Sequence, residues 1–406
     1  MTTNSLYISP LPTMPPSAQQ HKCRSSIRNS HSSNIKAMVV PAAAAPECGR
    51  REEAVAAAVV FCRRGRGVVV PTVDMSAPAG RGELSRQVAR ACAGSGFFRA
   101  VNHGVPPRVS AAMDAAAAAF FARAGAEKQL AGPPDPLGYG SRSIGANGDV
   151  GELEYLILHA SPDAVARKAS AIDREDPRRF SQVVNDYVEA VRQLACHVLD
   201  LLGEGLGLRD PTSLTRLITA TDNDSLIRIN HYPPSCAAAA GDHKSGGGPA
   251  PTAAIGFGEH TDPQILSVLR ANDADGLQLL LPDAAAAGDS VWVPVPPDPS
   301  AFFVNVGDLL QALTNGRLVS IRHRVVAGTG KPRLSTIYFA APPLHARISA
   351  LPEMVAAGAP RRYRAFTWAE YKRTMYTLRL SHNRLDLFHA GDGDGDAGVG
   401  DDDDHE

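Results

Sequence analysis

The sequence predicts an α+β protein in which helices come first, an all-β core of sandwich or jelly-roll type follows, and a last helix closes the chain. Three observations lead there. In the first half, apolar residues recur at positions 180, 184, 187, 188, 191, 194, 195, 198, 201 and 202, the spacing of a helix that packs one stripe on a core. From Leu226 onward the period shortens to β-branched runs separated by Gly, Pro, Asn and Asp, as in closely spaced short strands. Near the end, Thr367-Trp-Ala-Glu370 has the form of a capping box that opens a helix.

Taken in order, residues 1–67 are rich in Ser, Pro, Ala and Arg without a sustained apolar period, and read as a disordered leader. Residues 1–46 carry four basic and no acidic side chains. An organellar transit peptide would look like this, as would a leader before a start at Met38. No amphipathic Arg face supports the transit peptide, so a cytoplasmic location, with the nucleus as a second site, is the expectation. VVVPTVDMS from Val68 suits an edge strand, because its Pro cannot donate to a ladder. ELSRQVARACAGSGFF reads as a helix ending at Gly94 or Gly96, followed by the strand-like FFRAVNHGVPP and its turn, then a second helix from about Val109 to Ala124. The long helix spans 180–202. LIRINHY, GLQLLL, VWVPV, AFFVNVG, LVSIRHRVV and LSTIYFAA are the strands of the core. Ala237–Ala254 and the four alanines at 284–287 read as loop insertions. The expected organisation is a mostly helical domain over 68–215, a jelly-roll domain over 216–390, and an acidic disordered tail over 391–406.

With 406 residues, 44% hydrophobic and 20% charged, the chain can bury a large core, and its net charge of -1 calls for neither nucleic acid nor an anionic membrane. No apolar run reaches the roughly 18 residues of a membrane span. Six scattered cysteines without CxxC pairs fit a reducing compartment. Two motifs carry no chemistry. Gly203-Glu-Gly205-Leu-Gly207 follows a helix rather than a strand and reads as a helix end, not a nucleotide loop. Asp392, Asp394 and Asp396 lack the Gly and final Glu of a calcium loop.

His260-Thr-Asp262 enters a strand with its two polar side chains on one face. His323, in LVSIRHRVV, can supply a third ligand; its plainer reading is a hydrogen-bonded core histidine. Two imidazoles and one carboxylate on one side of a metal leave positions open, as in non-haem Fe(II) oxygenases, although Zn(II) in a β-sandwich also accepts such a set. Ten residues on, Arg333-Leu-Ser335 again shares a face. A guanidinium fork and a hydroxyl suit the distal carboxylate of 2-oxoglutarate; the alternative is a surface ion pair. Arg228-Ile-Asn230-His-Tyr232-Pro-Pro adds Tyr232, whose phenol can donate to the same carboxylate, whereas His231 alternates to the other face.

Together His260, Asp262, His323, Arg333, Ser335 and the Asn-x-Tyr-Pro segment resemble the plant 2-oxoglutarate-dependent dioxygenases over roughly residues 68–385, with VPTVDMS and GSGFFRAVNHGVP matching that family's N-terminal signature. The resemblance implies a distorted double-stranded β-helix core, an Fe(II) cofactor, 2-oxoglutarate and O2 as co-substrates, and ascorbate as reductant. Three stretches, GYGSRSIGANGDVGELEYLIL, GFGEHTDPQILSVLRAND and FFVNVGDLLQALTNGRLVSIRHRV, are similar to gibberellin 2-oxidases acting on C19 gibberellins, with other gibberellin positions or flavonoids as the alternative. That implies a small-molecule substrate with a carboxylate, for which Arg99, Arg142, Arg322 and Arg347 are candidate partners. Glu152 departs from the Trp that this group carries there, with consequences expected for local packing and substrate preference.

Overall fold

The computed structural model describes residues 70–391, apart from 135, 145–146, 235–253, 283–288, 329 and 356–359. The leader, the acidic tail and nearly all of both Ala-rich insertions lie outside the described residues.

The N-terminal part alternates strands and helices: β1 (Thr72–Asp74), α1 (Arg81–Gly94), β2 (Phe97–Val101), α2 (Pro107–Phe121), α3 (Gly125–Gln129), β3 (Gly138–Ile144), β4 (Asp149–His159), α4 (Pro162–Ile172), α5 (Pro177–Leu206) and α6 (Ser213–Thr219). Between α1 and β2 the chain turns at Gly96, with φ 64° and a position where a Cβ would lie 1.9 Å from the Val319 carbonyl, so only glycine fits. The long helix α5 extends the expected one at both ends. Pro177 presets its first turn, the Asp176 carboxylate accepts from the Arg179 amide at 3.0 Å, and Gly207 ends it in the left-handed region. Its stripe, Phe180, Val184, Tyr187, Val191, Val198 and Leu202 among others, is fully buried.

The core follows with β5 (Leu226–Tyr232), β6 (Ile255–His260), β7 (Leu266–Ala271), β8 (Leu277–Pro282), β9 (Ser290–Pro294), β10 (Phe302–Val306), α7 (Asp308–Leu313), β11 (His323–Val326) and β12 (Arg333–Ala340). A two-stranded ribbon of β13 (Arg347–Ile348) and β14 (Phe366–Thr367) leads into α8 (Trp368–Met375). Thr367 caps α8 by accepting from the Glu370 amide at 3.2 Å, while the Glu370 carboxylate turns to Arg364. The capping box is thus half made.

Eight strands form one sheet in the order β1-β2-β10-β7-β12-β5-β4-β3, and β6-β11-β8-β9 form a second. The large sheet draws on both sides of residue 215, because the hairpin β3–β4 pairs antiparallel with β5. One face of it packs with α1, α2 and α5 in the main hydrophobic core. The other packs against the small sheet around Phe97, Tyr155, Tyr232, Phe257, Leu279 and Ile337. Two facing, mainly antiparallel sheets make the expected jelly roll. LVSIRHRVV is a strand only from His323 onward, and its pairing with β6 is irregular.

Candidate active site

The functional side chains lie between the two sheets. His260 ends β6 and His323 begins β11, directly paired across the small sheet. Their rings are 4.2 Å apart, and the Nε2 atom of each lies 3.7 Å from Asp262 Oδ1. Each Nδ1 hydrogen-bonds a backbone carbonyl: Gly258 at 2.8 Å for His260, Ile321 at 3.2 Å for His323. Donating there leaves both Nε2 lone pairs facing the carboxylate. Burial, and then the neighbouring His323, hold His260 well below its ordinary pKa, so its ring stays neutral as a metal ligand requires. Asp262 Oδ2 accepts from Asn305 at 3.3 Å. The loop carrying Asp262 is stitched to α7: Gly307, Asp308 and Leu309 amides donate to the Ile265, Asp262 and Gln264 carbonyls. A Cβ at Gly307 would sit 1.9 Å from the Gln264 carbonyl, so glycine permits that approach. His260, Asp262 and His323 are, among the described residues, the one group of His, Cys, Asp or Glu placed to hold a metal ion.

The large sheet faces this cluster with a second set. On β12 and β5, Arg333 lies opposite Tyr232 and Ser335 opposite Asn230, so pleating sends all four side chains to one face. Arg333 is no surface ion pair. It is buried, its guanidinium lies 5.4 Å from the centre of the Tyr232 ring, and its Nε and Nη1, like Ser335 Oγ, have no hydrogen-bond partner. Three buried donors without acceptors would each cost about 1–3 kcal/mol, and they line the same cavity as His260, Asp262 and His323. Burial raises the Tyr232 phenol pKa, keeping it a donor. A small dicarboxylate chelating a metal at one end and held by a guanidinium fork at the other fits this donor set. His231 points the other way, bonded to Glu154 at 2.8 Å and stacked on Phe121, as its alternation predicts.

Beyond the metal cluster the cavity widens into an outer chamber, about 180 Å³ against about 50 Å³ for the inner one. Its walls are mainly apolar, from Ile144, Tyr155, Ile157, Leu226, Phe257, Phe339, Met375, Leu378 and Leu380. The β3–β4 turn and the segment after α8 close it. Asn147 donates to the Tyr376 and Leu378 carbonyls at 2.9 and 2.6 Å, and the Leu380 amide donates to Asp149 at 2.9 Å.

Residues 223–342 match the 2OG-Fe(II) oxygenase superfamily, and residues 70–173 match the N-terminal domain of a non-haem dioxygenase in morphine synthesis. Over 370 residues the chain is 98% identical to gibberellin 2-beta-dioxygenase 2 of Oryza sativa subsp. japonica, covering 91% of this chain and all of that one. The chain belongs to the gibberellin 2-beta-dioxygenase family. Identity is 63% with rice gibberellin 2-beta-dioxygenase 1 (80% of this chain, 88% of that one) and 46% with the Phaseolus coccineus enzyme (79% and 90%). Among solved structures, rice dioxygenase for auxin oxidation aligns with TM-score 0.63 at 30% identity, over 79% of this chain and all of that one. JOX2 in complex with 2OG, Fe and JA aligns with TM-score 0.65 at 26% identity, over 79% and 89%. As a member of this gibberellin 2-beta-dioxygenase family, the chain is an Fe(II)- and 2-oxoglutarate-dependent dioxygenase.

For this family member, none of the four arginines expected to meet a substrate carboxylate lines either chamber. Arg99 pairs with Asp298, Arg142 with Glu152 and Arg322 with Glu259, and Arg347 is exposed on β13. The arginine that does line both is Arg228. Its signal was its place two residues before Asn230 and four before Tyr232, on the same strand face. Glu152 also differs from expectation: it points outward from β4 to Arg142, while Leu153 takes the buried position, so its charge disturbs neither core nor chamber.

Proposed function

We propose that this chain hydroxylates C19 gibberellins at the 2β carbon, inactivating the hormone, while 2-oxoglutarate and O2 are converted to succinate and CO2 with one oxygen atom in each oxidised product. The observation that carries this reading is the 98% identity spanning the full length of the rice relative. The mainly apolar outer chamber, which suits a carbocyclic skeleton, supports it.

In this reading His260, Asp262 and His323 hold Fe(II) through two imidazole Nε2 atoms and Asp262 Oδ1. Arg333, Ser335 and Tyr232 grip the distal carboxylate of 2-oxoglutarate. When bound, Fe(II) with 2-oxoglutarate and O2 supplies the oxidation that breaks the substrate C–H bond. The protein fixes the ligands, since the Nδ1 bonds set both ring orientations and Asn305 with the α7 stitch sets the carboxylate. The outer walls place the carbon beside the metal cluster and exclude water. Widely spaced cysteines, with Cys92 and Cys196 free, support a cytoplasmic or nuclear location.

The test is incubation of purified protein with Fe(II), ascorbate, 2-oxoglutarate and a panel of C19 and C20 gibberellins and flavonoids, with products identified by mass spectrometry. A 2β-hydroxylated C19 product with matching succinate is expected. Turnover confined to C20 gibberellins, to another carbon or to a flavonoid would overturn it.

A further inference from the structure

We propose that Arg228 is the residue that binds the carboxylate of the gibberellin, and so decides that the substrate must be an acid; this rests on the gibberellin reading above. Arg228 sits at the middle of β5 and lines both the inner and the outer chamber. Its guanidinium lies against two aromatic rings, with centroid distances of 4.3 Å to Tyr155 and 4.9 Å to Phe257. The Tyr155 ring is itself fixed by a hydroxyl bond to the Ser143 carbonyl at 2.8 Å. Nε donates to Asn230 Oδ1 at 2.8 Å, while Nη2 is sealed from solvent and has no hydrogen-bond partner. With two rings against the guanidinium and Nε engaged, the unpaired Nη2 is what remains for an incoming oxygen, and a planar fork of this kind prefers a carboxylate.

Charge balance points the same way. Among the described residues, no carboxylate hydrogen-bonds Arg228. The other charges nearby are matched: Arg384 lies 3.5 Å from Asp308, and Lys128 bonds Glu154. In the loaded site the charges of Fe(II) and Arg333 offset those of Asp262 and the 2-oxoglutarate dianion. Arg228 is then the surplus cation in a poorly solvated cavity, where an unpaired charge is costly. One monoanion from the outer chamber neutralises it, and the carboxylate of a gibberellin is a monoanion. A neutral flavonoid would leave it unpaired.

The experiment compares a C19 gibberellin with its methyl ester, on wild-type holoenzyme and on Arg228→Lys and Arg228→Gln. Binding is measured anaerobically with 2-oxoglutarate present, and kcat/KM in air at saturating 2-oxoglutarate. Wild-type enzyme should favour the free acid over the ester. Arg228→Gln should lose roughly ten- to a hundred-fold in affinity for the acid, the worth of a charge-assisted contact, with the ester little changed, so that acid and ester become alike. Arg228→Lys should recover part of the discrimination, and the KM for 2-oxoglutarate should stay near the wild-type value in both. A wild-type enzyme that treats acid and ester equally overturns the proposal without any variant being needed. So does an Arg228→Gln enzyme that keeps the wild-type acid-to-ester ratio, or one whose 2-oxoglutarate KM alone rises, which would assign Arg228 to the co-substrate. Turnover of neither compound by wild-type enzyme would remove the gibberellin reading itself and this proposal with it.

Discussion

Replacing Arg333 by lysine separates a co-substrate grip from every other use of a buried cation. Arg333 presents Nε and Nη1 to the inner chamber with neither paired, beside the unpaired Ser335 Oγ. A carboxylate meeting that edge gains two parallel charge-assisted hydrogen bonds. Lysine keeps the charge but, as a single ammonium on a flexible stem, cannot present the planar fork. The lost contact is worth about 1.5–3 kcal/mol, or roughly ten- to a hundred-fold in the KM for 2-oxoglutarate. Ser335 and Tyr232 remain, so activity should survive at high co-substrate. The assay is succinate formation against 2-oxoglutarate at saturating gibberellin, with iron content measured in parallel. Iron should be unchanged, and the gibberellin KM at saturating 2-oxoglutarate should move far less. An unaltered 2-oxoglutarate KM with a weakened gibberellin KM would refute the reasoning and exchange the roles of Arg333 and Arg228.

Three further outcomes follow from the geometry. His260→Ala or Asp262→Ala should abolish turnover and iron retention with little change in thermal midpoint, because the sheets are packed independently of the metal; full activity with stoichiometric iron in either would rule out the ligand set. Asn147→Ala removes two hydrogen bonds that tie the β3–β4 turn to residues 376 and 378, and should raise the gibberellin KM several-fold, at about 0.5–1.5 kcal/mol per bond, leaving the 2-oxoglutarate KM alone. Glu154 pays for burial, but bonds from His231, Lys128 and Tyr139 outweigh it and bring its pKa from 4.5 to about 2. A carboxylate depressed in the folded state adds stability that is full above 4.5 and lost as pH falls towards 2, so Glu154→Gln should flatten the fall of thermal midpoint across that window.

The site was legible where one local period carries it. Arg333 and Ser335 are two apart on one strand, which puts them on one face. His260 and Asp262 are also two apart, but His260 ends β6 and Asp262 lies in the loop after it, brought to the imidazoles by its contacts with α7 rather than by pleating. The partner relation between His260 and His323 was also readable as motif chemistry, though not the bulged register that aligns them. The hairpin β3–β4 escaped because its Gly, Ser and Asn content reads as loop; it is held as strand by pairing with β5, a non-local force. The contacts closing the outer chamber join residues 229 and 231 apart, and no local pattern reports them. Arg228 was passed over for a different reason. A charged residue on a core strand looks like an exposed position, and only the rings of Tyr155 and Phe257, far away in sequence, make it a half-buried one that lines the cavity.

The two sheets divide the work in a way that bears on how one scaffold can keep a reaction while changing its substrate. His260, His323, Arg333 and Ser335 stand on strands whose packing is part of the inter-sheet core, so the burial that stabilises the protein also fixes their positions. The outer chamber is instead completed by a turn and a C-terminal segment joined through a few polar contacts, whose loss leaves the core untouched. Arg228 stands at the border. It lies on β5 with Asn230 and Tyr232, in the same sheet as Arg333 and Ser335, yet it also lines the outer chamber. A substrate carboxylate bound at Arg228 would be referenced to the same strand as Tyr232 and to the sheet that carries Arg333 and Ser335. The reacting carbon would then be set by one rigid element rather than by a loop, which is what a reaction sensitive to displacements of about 1 Å requires.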